Sequence, residues 1–97
     1  GWDETGKFEV GLVNQTRRTL QNIVAIIAEA NAEPHHIVRL TWYVTDIEDY
    51  LAKQREIGAA YREVIGKHFP AMAVVQVVRL VEKQALVEIE ATAVLPE

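Results

Sequence analysis

The sequence predicts an α+β arrangement: a small mixed β-sheet with two helices packed on one face. Three observations lead there. Two stretches carry apolar residues at helical spacing, three others alternate or are rich in β-branched residues, and the order along the chain is helix, strand, helix, strand, strand. Ninety-seven residues suffice for one domain and not for two, so positions 1–97 read as a single domain. A chain this short buries only roughly 60–65% of the surface its unfolded form exposes, which makes self-association a natural source of added stability.

Residues 1–11 read as a turn around Asp3-Glu4-Thr5-Gly6, followed by a short extended piece carrying Phe8 and Val10. Over residues 12–31, Val13, Leu20, Ile23, Val24 and Ile27 recur at intervals that place them on one helical stripe. Asn31 suits a left-handed stop, and Pro34 blocks any resumption of the helix. Alternation then takes over in residues 37–45, with Val38, Leu40, Trp42 and Val44 on one side and Arg39, Thr41, Tyr43 and Thr45 on the other. Asp46 is placed to cap a second helix, and Glu48 and Asp49 favour its positive end. That helix is expected to run to about Ile65. Its stripe comprises Tyr50, Leu51, Ile57, Gly58, Tyr61, Val64 and Ile65, and Gly66 stands where helices reverse. Residues 73–81 and 86–95 read as an antiparallel pair joined by a hairpin loop at residues 82–85. The first strand and the strand at residues 73–81 are joined through a helix and are expected to run parallel.

Two features of this outline bear on function. The strand at residues 73–81 is apolar on both sides, with Val75 and Val77 on one and Val74, Val78 and Leu80 on the other. Two helices cover one face of such a sheet and leave the second, which implies a homo-oligomer. The first helix, moreover, follows no convincing strand, although α/β patterns ordinarily place one there.

Composition narrows the possibilities. The absence of cysteine excludes disulfides, zinc ribbons and thiol catalysis, and fits a reducing, cytoplasmic setting. No apolar run approaches the roughly 20 residues needed to cross a bilayer, and Gly1-Trp2-Asp3-Glu4 has no signal-like character. The formal charge of −4, with basic residues scattered, argues against nucleic acid as a partner.

Several blocks together resemble the RidA/YjgF family, also called the endoribonuclease L-PSP family. They are Gln15-Thr16-Arg17 through Leu20-Gln21-Asn22-Ile23, Ile37-Val38-Arg39 leading to Tyr43-Val44-Thr45-Asp46, Phe69-Pro70-Ala71, and Val87-Glu88-Ile89-Glu90-Ala91-Thr92-Ala93. The resemblance implies a chorismate-mutase-like fold assembled as a homotrimer, with small-molecule clefts between subunits. The family's deaminases hydrolyse enamines and imines such as 2-aminoacrylate to a keto acid and ammonia, with neither cofactor nor metal. In them an arginine directly after Pro-Ala grips the substrate carboxylate, a cysteine often lies two residues on, and a glutamate in the last strand positions water.

Here Met72 stands at the arginine position and Val74 at the cysteine position, while Glu88 matches the glutamate. A thioether has neither the charge nor the paired donors of a guanidinium. The family's first two strands find no counterpart, because Gly1-Trp2-Asp3 aligns just after them. The expectation is therefore a RidA-like protein that binds a small metabolite and is an inefficient 2-aminoacrylate deaminase. One alternative is an enamine or imine deaminase acting on an uncharged substrate through Glu88. Another is the ribonuclease or translation inhibitor of the older family name, against which the acidic balance argues.

Each candidate residue also has a plainer reading. Glu88, the catalytic candidate, could equally be a carboxylate on the solvent side of an edge strand, as could Glu90. Tyr43 is a possible ligand contact on the face opposite Trp42, and Met72 could simply fill a gap. His35 and His36 beside Glu33 suggest a metal, but neighbouring side chains in a loop point apart, and a loop before a strand is the better reading. His68 reads as a solvated helix end, and Arg17 and Arg18 as solubilising charges.

Overall fold

The computed structural model describes residues 8–95, so the turn read at residues 3–6 lies outside the described part. The first helix, α1, spans Leu12–Ala28 and starts after Gly11, whose φ of 84° lies in the left-handed region. At its far end Asn31 takes φ 62°, the left-handed stop expected from its side chain, and the Ala32 N–H donates back to the Ile27 carbonyl at 3.0 Å. A single 3-10 turn, Pro34–His36, then feeds the first strand.

Strand β1 covers Ile37–Val44, β2 covers Ala71–Gln76 and β3 covers Val87–Ala93. Their order is β2-β1-β3, with β2 parallel and β3 antiparallel to the central strand. The sheet is mixed and the β1–β2 pair parallel, as expected, but the expected hairpin does not form. The stretch read as one strand over residues 73–81 ends at Gln76. Val77 still donates to the Val44 carbonyl at 2.9 Å, and residues 77–86 then cross the end of β1 to its other edge, where Thr45 donates to the Leu86 carbonyl at 3.2 Å. The physical reason lies in β1 itself. Leu40 and Val44 are fully buried and Trp42 nearly so, and a strand that deeply buried is best served by partners on both sides. A ten-residue connection easily spans the two strand spacings, about 10 Å, that separate the outer strands.

The second helical stretch is two helices. Helix α2, Ile47–Ala52, and helix α3, Gln54–Val64, meet at Lys53, whose φ of −112° and ψ of 19° interrupt the helical path. Asp46 caps α2 as predicted, its carboxylate accepting from the Glu48 and Asp49 N–H groups at 3.1 and 3.2 Å. The break rotates Leu51 outward, so this member of the expected stripe is half-exposed, whereas Ile57, Tyr61 and Ile65 are buried. Gly66 takes φ 92° and ends α3. Both long helices pack on the side of the sheet that carries Leu40, Trp42, Val87 and Ile89.

Polar side chains fasten these layers. Arg17 and Arg18, read from sequence as solubilising charges, are instead engaged. Arg17 Nε meets Glu63 of α3 at 2.8 Å and Arg18 meets Glu9 at 3.3 Å, because the stripe that packs on the sheet also brings the flank of α1 beside α3. Gln15, overlooked in the sequence, is only 3% exposed. Its amide donates to the Glu9 and Gln84 carbonyls at 3.0 and 2.9 Å and accepts from the Leu86 N–H at 2.7 Å. One side chain thus ties the segment before α1 and the 77–86 connection to the start of β3.

Truncating Gln15 leaves the Leu86 N–H without an acceptor in a buried place, so Gln15→Ala is expected to lower stability by about 2 kcal/mol in urea unfolding. Removing the α2 cap with Asp46→Ala is expected to cost about 1 kcal/mol by the same measurement.

Candidate functional site

Tyr43, Met72, Val74 and Glu88 are expected from sequence to surround one cleft. Within a single chain the sheet separates them. Met72 pairs in register with Leu40 and Val74 with Trp42, so both side chains stand on the helix-covered face. Tyr43 lies opposite Val75 on one side and Glu88 on the other, so Tyr43 and Glu88 share the open face. Because β2 and β3 occupy opposite edges of the sheet, Glu88 is removed from Met72 both by face and by the full width of β1. The pairing thus brings together Met72 with Val74 and Tyr43 with Glu88, but not the four.

Around Met72 the helix side holds a pocket of about 150 Å³. Trp42 and Met72 supply its sheet wall, while Tyr50, Gln54, Gly58 and Tyr61 come from α2 and α3, with Ile57 and Phe69 completing it. The aromatic rings hold one another in place. Trp42 and Tyr50 meet edge to face with centroids 6.2 Å apart, and Tyr61 stacks on Phe69 at 5.5 Å and 20°. Tyr50 on α2 and Gln54 on α3 line the same space on either side of the break at Lys53. Met72 is 42% exposed at the outer edge of β2, so its flexible thioether forms one lip of the opening.

Tyr61 is anchored at its far end. Its hydroxyl donates to the His68 carbonyl at 2.6 Å, and His68 Nε2 in turn donates to the Ile37 carbonyl at 2.6 Å. A carbonyl can only accept, so this bond assigns the ring proton to Nε2. His68 is therefore a brace between the end of α3 and the start of β1 rather than a solvated helix end. The cause is the reversal at Gly66, which folds residues 67–70 back against the sheet. Burial pushes the Tyr61 phenol above its ordinary value of 10.0.

The chemistry available to this pocket is that of an apolar socket. None of the described lining residues is charged, and the polar groups in its walls are the Gln54 amide, the tyrosine hydroxyls and the Trp42 indole. The indole N–H is buried and lacks an acceptor among the described residues. A cavity of about 150 Å³ with apolar walls accommodates one benzene-sized body.

A second and larger groove, about 320 Å³, runs along β3 between α1 and the 77–86 connection. Glu88 lines it with Thr19, Asn22, Ile26, Val87 and Ile89. Glu33, His35 and His36 do bring ligand atoms within 4.8 Å of one another. His36 Nδ1, however, accepts the Glu33 N–H at 2.8 Å, and this reciprocal cap closes the turn before β1. The ring proton then sits on Nε2, so the cluster serves the loop.

This fold and the pocket beside the Pro-Ala turn place the chain among known proteins. Residues 1–95 match the endoribonuclease L-PSP family model, and the chain belongs to that family, the RidA/YjgF family. A RutC family protein of Pyrococcus abyssi is 41% identical over 91 residues, covering 93% of this chain and 68% of the relative. The 2-iminobutanoate/2-iminopropanoate deaminase of Escherichia coli is 34% identical over 94 residues, covering 94% of this chain and 70% of that enzyme. Among solved structures, Escherichia coli TdcF with bound serine superposes with a TM-score of 0.80 at 31% identity, over 96% of this chain and 72% of that one. Among the described residues, no helix is long and apolar enough to cross a membrane.

The raised Tyr61 phenol has a consequence for stability. A phenol held protonated in the fold contributes stability that is fully present below about pH 10 and is lost as pH rises through its raised folded value. Urea unfolding of the wild type is therefore expected to show falling stability above about pH 10, and Tyr61→Phe a shallower fall.

Proposed function

We propose that this chain is a RidA-like protein that binds a small, fairly apolar metabolite in clefts between the subunits of a homotrimer, and that it does not efficiently deaminate 2-aminoacrylate. The observation that carries this reading is Met72. It stands directly after Pro70-Ala71, where family deaminases hold a carboxylate with arginine, and it lies in a pocket whose described walls are aromatic and uncharged. A carboxylate entering such a pocket beside Met72 gives up its hydration and gains no ionic partner from the sheet side.

Assembly is supported by what the lone chain leaves uncovered. Met72 and Val75 of the edge strand β2 are each about two-fifths exposed, at 42% and 43%, and Val78 and Val81 just beyond it are 99% and 92% exposed. A second copy set against this edge would cover those side chains and wall the open side of the pocket. It would also offer a route by which Glu88 of a neighbouring copy comes near Met72, which one chain alone does not provide.

A second reading rests on the groove along β3. There Glu88 borders a groove walled by α1 and β3, and its side chain stands on the open face beside Tyr43, available to orient water toward an uncharged imine or enamine. Such a substrate needs no carboxylate clamp.

Freshly generated 2-aminoacrylate separates these readings from ordinary family chemistry. Ammonia and pyruvate release by the wild type is expected to stay near the buffer rate, and Met72→Arg is expected to raise it. Rapid wild-type turnover would refute the main reading. For an uncharged imine, turnover lost in Glu88→Gln but kept in Glu90→Gln would support the second, and equal rates in all three proteins would remove it.

A further inference from the structure

The pocket's walls are uncharged, but a cation stands immediately behind one of them. Arg62 follows Gly58 by one helical turn on α3, and its Nη1 lies 3.6 Å from the point a Cβ on Gly58 would occupy. Long helical side chains lean toward the N-terminus over the preceding turn, which is how Arg62 comes to cover residue 58. Gly58 lines the pocket. Its backbone is ordinary helix, so no left-handed conformation demands glycine, and glycine in a helix interior costs up to about 1 kcal/mol relative to alanine. What the missing side chain leaves is room on α3 between this lining position and the guanidinium beside it.

Arg62 is also uncommitted. Arg17 and Arg18 both hold carboxylates, and Lys53 pairs with Asp49 at 2.8 Å, yet Arg62 has no ion pair or hydrogen bond among the described residues. Its guanidinium, a planar donor suited to carboxylates, is therefore available. The positive group absent from β2 at Met72 is matched by one on the opposite, helical wall.

Building on the apolar-pocket reading, we infer that the ligand is an amphipathic anion: a ring-sized apolar body seated among Trp42, Tyr50, Phe69 and Met72, with a carboxylate on a short arm that meets Arg62 at the Gly58 opening. The body follows from the volume of about 150 Å³, which suits a single ring. The orientation is set by which wall carries charge. Such a ligand enters with its carboxylate toward α3 rather than toward β2. This explains how one pocket discriminates against a three-carbon imine acid, whose carboxylate and reacting carbon are too close together to leave an apolar body for the socket.

The inference is tested by calorimetric titration with 3-phenylpropanoate and its neutral counterpart 3-phenylpropanamide. Because Arg62 is solvent-exposed, screening limits the gain, and the wild type is expected to prefer the anion by about three- to tenfold. Arg62→Gln is expected to abolish that preference while leaving affinity for the amide unchanged, and Arg55→Gln, a change of equal charge on the same helix, to retain it. Equal binding of the two compounds by the wild type, or a preference that survives in Arg62→Gln, overturns the role of Arg62 and leaves the apolar pocket standing. If neither compound binds, the pocket reading falls and this inference with it.

Discussion

The alternation of β1, locked between two partners, is the constraint on which the rest of the molecule depends. Leu40, Trp42 and Val44 must face the helices, because the described residues cover no other side of the sheet, and the register with β2 and β3 then assigns every neighbouring residue to a face. Met72 and Val74 fall beside Trp42. Tyr43 and Glu88 fall on the open side. A slip of one residue would exchange these sets, which is why the burial of the three β1 side chains also determines where any ligand is met.

The pocket is a consequence of that packing combined with a local defect. A continuous helix over residues 46–65 would carry Tyr50 and Gln54 on successive turns of one rigid stripe. The helical path is interrupted at Lys53, and Tyr50 on α2 turns its ring edge to Trp42, while α3 packs through the buried Ile57 and Tyr61. Phe69, stacked on Tyr61, adds a further wall, and His68, bonded to Ile37, braces the segment that carries it. The result is a socket with rigid aromatic walls and one soft lip at Met72. On the helical side of this socket the exposed Arg62 guanidinium lies 3.6 Å from where a Gly58 side chain would begin.

Much of this was legible in the residues. Asp46 capping α2 and Asn31 and Gly66 in left-handed conformations follow from local stereochemistry that acts within a few residues, and the parallel β1–β2 pair from the helical connection between the two strands. The family blocks identified the family without any coordinates. Less legible were effects that depend on distant groups. The hairpin expected between the last two strands failed because the deeply buried β1 recruited both as partners, and sequence proximity does not weigh that gain. The structural role of Gln15 gave no signal beyond its place in a family block, since a glutamine between Asn14 and Thr16 looks like a surface residue until the Glu9, Gln84 and Leu86 backbones are seen to converge on it. His68 and the arginines of α1 were misread for the same reason: their partners lie 31 and 46 residues away, or on a segment outside the helix.

By itself, then, the order of residues determined the α+β class, the family and the sequence of helices and strands, because these rest on periodicity, capping and motif blocks along the chain. Only the tertiary structure decided which candidate residues share a face, that Trp42, Tyr50 and Phe69 converge on Met72, and that Arg62 stands uncommitted behind Gly58. Those facts are set by strand register and by the angle between packed elements. Both arise from burial summed over the whole core, a quantity no short stretch of sequence contains.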